Sequence, residues 1–181
     1  MLRASILLIV FGILASCAPI SEDACRSGNW QAIGIGDGIK AEPASRVGDY
    51  AETCAEFGIS PDLAAYHAGR AEGLKTYCTA ENAYSEGRKG KKLRPVCTPE
   101  TATLISPANR HGLRYHAIEE DRNQIRDRID SREQELAANY SGTLTPAQQI
   151  EAAQLRSEIK SLEFELFKLR IDLRRYDSWP P

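Results

Sequence analysis

The stretch Ser60–Cys97 constrains this chain most, because it writes one pattern twice. The first copy runs Ser60-Pro61-Asp62, Tyr66, Gly69-Arg70, Gly73-Leu74, Cys78. The second runs Thr79-Ala80-Glu81, Tyr84, Gly87-Arg88, Gly90, Leu93, Cys97. Each copy opens on a hydroxyl residue followed by an acid, an arrangement that caps a helix and suits the positive end of its dipole. Each then sets a tyrosine three residues ahead of Gly-Arg and closes on a cysteine. Two short helices of the same build are the expected product. The remaining segments either deliver this pair to a place or extend away from it.

The delivery signal is at the N-terminus. Met1-Leu2-Arg3 is a short positive start, and Ile6–Leu14 is an apolar run. That run is too short to span a bilayer as a helix, which takes about 20 residues. Small residues follow in Leu14-Ala15-Ser16-Cys17, the layout of an export signal. Leu-Ala-Ser-Cys resembles the bacterial lipobox. The resemblance implies cleavage after Ser16, with a diacylglyceryl thioether and an N-acyl chain on Cys17. Ala18, in the place where Asp would retain the protein at the inner membrane, implies a lipid-anchored outer-membrane address facing the periplasm. Stable anchoring takes more than one acyl chain, at about 0.8 kcal/mol per buried CH₂. Residues 1–16 are then the signal peptide and 17–27 the lipid anchor and tether. Losing 1–16 removes one base, Arg3, and leaves 22 Lys and Arg against 25 Asp and Glu, a net charge of −3. No basic excess argues for nucleic acid.

Four cysteines remain: Cys25, Cys54, Cys78 and Cys97. An even number in an exported chain reads as two disulfides. Metal binding is the rival, but structural zinc sites show close pairs such as C-x-x-C, and these cysteines are widely spaced. Of three connectivities the favoured one is Cys25–Cys54 with Cys78–Cys97, which joins sequence neighbours. Each bridge is expected to stabilise by about 3 kcal/mol.

Residues 28–97 read as a disulfide-linked module of short helices, the whole chain as all-α. Helices are expected over Trp30–Ile39, over Arg46–Phe57 with Gly58 as a left-handed cap, from Ser60-Pro61 to about Cys78, and from Thr79 until Gly87–Gly90. Ten glycines fall between Gly28 and Gly90. Gly34/Gly38, Gly69/Gly73 and Gly87/Gly90 recur near a helical period, which lets another backbone or a flat ring approach one face. Tight crossings with Trp30, Tyr66 and Tyr84 laid across those faces are one expectation. The sharper one is a ligand groove walled by the glycines and lined by Asp37, Tyr66, Arg70, Tyr84 and Arg88. Ile33-Gly34-Ile35-Gly36-Asp37-Gly38 is a poor phosphate loop, with no strand before it and no Gly-Lys-Ser/Thr after it. No nucleotide is expected.

The string Cys25, Trp30, Ile33-Gly34, Asp37-Gly38, Cys54, Gly58, Pro61-Asp62, Tyr66, Gly69-Arg70, Gly73-Leu74, Tyr77-Cys78-Thr79, Asn82-Ala83-Tyr84, Gly87, Gly90, Val96-Cys97 resembles an uncharacterised bacterial lipoprotein family, a domain of unknown function. The resemblance covers about residues 24–115, and the tail more loosely. It implies an envelope lipoprotein of this layout and carries no activity with it.

Residues 98–106 read as a linker in which Thr98-Pro99-Glu100 starts only a turn or two. Ser106-Pro107 then opens a charged helix to about Ala138, with Ile118, Ile125, Ile129 and Leu136 as its apolar stripe and a turn near Gly142. Thr145-Pro146 starts the last helix. There Leu155, Ile159, Leu162, Leu166, Leu169, Leu173 and Tyr176 step 4, 3, 4, 3, 4, 3, a coiled-coil seam. Phe164, Phe167 and Ile171 form a second stripe, so this helix is the expected partner-binding element. Two helices of about equal length over 107–177 make an antiparallel hairpin, and 178–181 a tail. A helix lying on the membrane is disfavoured by Glu163, Glu165 and Asp172.

No catalytic or metal constellation stands out. His111 and His116 share no helix face, and His67 stands apart. Once lipidation and disulfides are counted, no cysteine nucleophile remains. Beyond the covalent lipid on Cys17 no cofactor is expected. The favoured reading is a non-catalytic envelope lipoprotein acting by contact with another envelope protein or with itself. The alternative is a lipoprotein that holds a small anion, glycan or peptidoglycan fragment in the Arg70/Arg88 groove. A cell-wall hydrolase using Glu72 and Glu81 comes last.

Overall fold

The computed structural model describes residues 19–180; the signal segment, Cys17 and Pro181 lie outside the described residues. Seven α-helices and no strand occur among these: α1 (Glu22–Ser27), α2 (Trp30–Ile39), α3 (Arg46–Ala55), α4 (Leu63–Tyr77), α5 (Ala80–Arg88), α6 (Pro99–Asn139) and α7 (Pro146–Leu173). Side-chain caps set most of the starts. Ser21, Asn29, Asp62, Thr79, Thr98 and Thr145 each accept a hydrogen bond from the backbone N–H three residues on. Thr145 and Gln148 close a full capping box. The cap of α4 is Asp62 rather than Ser60, so a carboxylate instead of a hydroxyl faces the positive helix end. Two disulfides staple the N-terminal half. Cys25–Cys54 joins α1 to α3, and Cys78–Cys97 joins the end of α4 to the residue before the α6 cap, with Cα–Cα distances of 5.6 and 5.8 Å.

Two helix crossings organise this half, and they are built alike. In the first, α2 lies against α4. A Cβ on Gly34 would strike the backbone of Tyr66 and Arg70, and one on Gly69 would strike the backbone of Gln31. In the second, α5 lies against α6. A Cβ on Gly112 would strike the backbone of Tyr84 and Arg88, and one on Gly87 the backbone of Asn109 and Leu113. The two Tyr-x-x-Gly-Arg segments therefore present the same backbone atoms to a glycine of a partner helix. The partner precedes its segment in the first pair and follows it in the second. Backbone meets backbone at both crossings; the rings of Trp30 and Tyr66 sit to one side, in a core with Ile20, Val47, Tyr50 and the Cys25–Cys54 bridge. Gly90 is no part of the second crossing. It lies outside α5 with a positive φ of 76°, and its missing side chain leaves room for the ring of His116.

The expected linker over 98–106 is helical, and Pro107 lies inside α6 rather than at its start. Pro107 removes one backbone hydrogen bond, yet the helix continues because α5 packs on this stretch and buries Ile105, Ala108, Asn109 and Gly112. The two long helices are consequently unequal, 41 residues for α6 and 28 for α7. The second crossing joins α5 to Asn109–Leu113 of α6, so α6 packs on the disulfide-linked half as well as on α7.

Beyond that crossing α6 and α7 form the antiparallel hairpin. Ile125 and Ile129 pack on Ile159 and Leu162, with Leu136, Leu166 and Leu169 alongside. Arg132 reaches Glu158 at 3.2 Å, and the Tyr140 hydroxyl donates to Glu151 at 3.1 Å, which fixes the register. The chain then returns to the base. The Tyr84 hydroxyl donates to the carbonyl of Tyr176 at 2.6 Å, and Trp179 joins the cluster of Ala83, Ile105 and Ala108.

Gly34→Ala and Gly87→Ala each place a methyl group against main chain, which cannot swing aside as a side chain can. Each should destabilise by about 1–3 kcal/mol or more. Gly36→Ala meets nothing within 4 Å and should be neutral or stabilising by up to about 1 kcal/mol. Urea unfolding of the three variants checks the contrast; equal losses at all three would mean that the crossings are not the constraint.

Candidate functional site

The residues expected to line one groove belong to two separate systems. Asp37 is buried, 7 % exposed, on the face of α2 that meets α4. Its carboxylate accepts from the Tyr66 hydroxyl at 2.8 Å and from the Tyr50 hydroxyl at 3.0 and 3.1 Å. Tyr50 in turn accepts from Nε of Arg46 at 2.9 Å. The chain Arg46–Tyr50–Asp37–Tyr66 ties α2, α3 and α4 together, and it occupies the acceptor positions a ligand would need. Burial, then the bond to Asp37, hold the Tyr66 hydroxyl well above the usual tyrosine range. Burial also raises Tyr50, against the opposing pull of Arg46, and Tyr84.

Arg70 does not meet Asp37. Its Nε and Nη2 donate to the carbonyl of Glu42 at 2.9 and 2.6 Å. Arg94 binds the same loop, donating to the carbonyl of Ala41 and to Glu42 Oε2 at 3.3 and 3.2 Å. That loop carries Ala41 at a left-handed φ of 57°, a conformation an L residue adopts at a cost, so the two arginines hold it shut. Arg88, on α5, faces the second system. Its guanidinium lies 3.8 Å from the centre of the Tyr115 ring and 3.7 Å from Asp177. Tyr115 stands three residues after Gly112, as Asp37 stands three after Gly34. An aromatic face thus fills the place that a carboxylate fills in the first pair. Arg70 and Arg88 serve separate structural duties.

The expected partner-binding helix divides into two faces. Leu155, Ile159 and Leu162 are buried on α6, and Leu166, Leu169 and Leu173 are half-buried beside them. Phe164, Phe167 and Ile171 remain 62, 55 and 46 % exposed. Lys160 and Lys168 lie four residues before and after Phe164, and the Lys168 ammonium is 5.2 Å from the Phe164 ring centre. Of the carboxylates weighed for hydrolysis, Glu72 pairs with Lys75 on the solvent face of α4, and Glu81 is exposed in the first turn of α5. His67 packs edge-on against Tyr66. His111 sits among Tyr84, Tyr176 and Trp179, and His116 pairs with Glu120 at 3.3 Å. Among the described residues no three His, Cys, Asp or Glu side chains gather as a metal site, and no helix is long and apolar enough to cross a membrane.

Residues 29–114 match the family described as Protein of unknown function (DUF2799). The match opens at the cap of α2 and ends two residues past Gly112, so it encloses both glycine crossings and stops before the hairpin arm. No curated protein and no solved structure matches the chain.

Missing from the expected set is a run of bases after α5. Lys91, Lys92 and Arg94 line a cleft with Lys40 and Tyr77. The segment Arg88-Lys89-Gly90-Lys91-Lys92-Leu93-Arg94 carries the signal in the sequence, hidden by the acidic net charge.

A tyrosine that stays protonated in the fold but titrates near pH 10 when unfolded binds more protons in the native state above that pH. Its contribution is therefore complete below about pH 10 and is lost as pH rises through the folded value. Tyr66→Phe should flatten this alkaline fall. It should also lower stability at neutral pH by about 1–3 kcal/mol, because Asp37 loses a donor. Urea melts at about pH 7 and about pH 11 test both; an unchanged alkaline slope would remove Tyr66 from the account.

Proposed function

We propose that this protein is a non-catalytic lipoprotein of the cell envelope, anchored through lipid on Cys17 and facing the periplasm from the outer membrane, that works by protein contact through the outer face of α7. One observation carries the reading: Phe164, Phe167 and Ile171 stay open to solvent on a helix whose other apolar stripe is already covered by α6. Two large aromatic side chains on one face are costly to leave wet and are the residue type that anchors interfaces. The stripe also has a charge. Lys160 and Lys168 flank Phe164, and Arg174 follows Ile171 by three residues; with Glu163 also on this border, the stripe's edge is net positive. Antiparallel pairing of two copies about Phe167 would set Lys160 against Arg174 of the other copy, like charge on like. A different envelope protein with an apolar groove and an acidic rim fits better than a second copy. The lipobox supports the address, and the seam supports a stiff arm that holds the stripe away from the base.

Photo-crosslinking amino acids at 164 and 167 in the lipidated protein in cells should give one discrete heterologous adduct. Phe164→Asp should abolish it while thermal stability of the purified protein changes by less than about 1 kcal/mol, as for a surface position. Adducts only to the same chain would make the protein a homo-oligomer. Absence of any protein adduct would remove the contact role.

A further inference from the structure

We propose that the cleft between the two helix pairs is a binding site for a phosphate-bearing anion. It stands apart from α7 and does not depend on the contact role proposed above. The cleft has a volume of about 360 Å³ and is lined by Lys40, Tyr77, Glu86, Lys91, Lys92 and Arg94. Four of the six are cations, in a chain whose net charge is −2. They come from distant parts of the sequence: Lys40 from the end of α2 in the first pair, and Lys91, Lys92 and Arg94 from the segment after α5 in the second.

The charge is largely uncompensated. Glu86, the one acid in the lining, is held by Lys89 at 2.8 Å. Arg94 has Glu42 at 3.2 Å. Lys40, Lys91 and Lys92 make no ion pair among the described residues. The C-terminal ends of α2 and α5 lie at Lys40 and Lys89 and attract cations with about half a negative charge each. Their sum of about one charge is well short of what the three free ammonium groups bring.

The basic segment is also built to hold its shape. The N–H of Lys91 donates to the Glu86 carbonyl at 2.9 Å. Nδ2 of the buried Asn109 donates to the Lys91 carbonyl at 2.9 Å. The N–H of Arg94 donates to the buried Tyr77 hydroxyl at 3.0 Å. Gly90 takes its left-handed turn against the His116 ring. A buried asparagine and a buried tyrosine thus fix the main chain from which Lys91, Lys92 and Arg94 project, so ordering this segment costs a ligand little. Four cations around one concavity attract a multiply charged oxyanion more strongly than a singly charged carboxylate, and lysine and arginine both bind phosphate, the first as a point charge and the second through its fork. A phospholipid or phosphorylated glycolipid headgroup and a soluble phosphate compound share this chemistry.

The test uses the full lipidated chain in neutral detergent micelles, titrated with inorganic pyrophosphate and separately with micelles doped with phosphatidylglycerol. Acylation of Lys40, Lys91 and Lys92, read by mass spectrometry, should be suppressed by at least one probe in a saturable way that weakens as salt is raised. Lys91→Gln with Lys92→Gln should weaken that binding roughly 10- to 30-fold, the order expected for two surface lysines on an anion, and Lys75→Gln should not. Protection by pyrophosphate alone assigns a soluble phosphate ligand, and protection by doped micelles alone assigns a headgroup. The proposal is overturned by no saturable protection from either probe, or by equal weakening in the Lys75→Gln control. Crosslinking through α7 should be unaffected by the lysine changes, so the two proposals fail separately.

Discussion

Main chain against main chain at two glycine crossings is the constraint on which the rest of the structure depends. Helices normally stand 8–10 Å apart, separated by side chains. Here Gly34 and Gly69, and again Gly87 and Gly112, remove those side chains at the point of closest approach. Such a contact holds the pair in one register, because a shift along either helix puts a Cβ where there is no room. The surrounding residues can then be spent on other tasks. Asp37 can be buried, since Tyr50 and Tyr66 are delivered to it reliably, and Arg88 can lie flat on Tyr115.

The two pairs differ in chemistry while sharing their geometry. Where the first has a carboxylate with two tyrosine donors, the second has an aromatic ring under a guanidinium. Their order in the chain differs as well, partner first and then partner last. This lets the second partner be the opening of a long helix and continue outward as the arm.

Much of this was legible in the residues. The caps Thr79, Thr98 and Thr145 were readable because a side chain and a backbone N–H three residues on are a local matter, whereas at α4 Asp62 displaced Ser60; the disulfide pairing followed from sequence neighbours. The seam from Leu155 to Leu173 showed through its spacing alone. The identity of the helix that would meet α5 was not legible. Gly87 and Gly90 lie close in sequence and suggested one face, whereas the partner glycine is Gly112, beyond a disulfide and a proline. Pro107 reads locally as a helix start, and only the packing of α5 on Ile105 and Ala108 carries the helix through it. The pairing of Arg70 with Arg88 failed for a related reason. Equivalent positions in a repeat face equivalent neighbours in their own units, not one another. The lysine cleft was missed because net charge averages over a chain, while a cleft samples only the few residues that fold brings to its rim.

The continuity of α6 has a mechanical consequence. One uninterrupted helix of 41 residues, roughly 60 Å at 1.5 Å per residue, is clamped near one end by a contact that tolerates no sliding. The chain just after α7 returns to the same end, where the Tyr176 carbonyl accepts from the Tyr84 hydroxyl. With both limbs seated at the base, the arm is a cantilever. A sideways load near Gly142 is felt chiefly as torque at the Gly87–Gly112 crossing, where main chain already meets main chain and there is little room to yield.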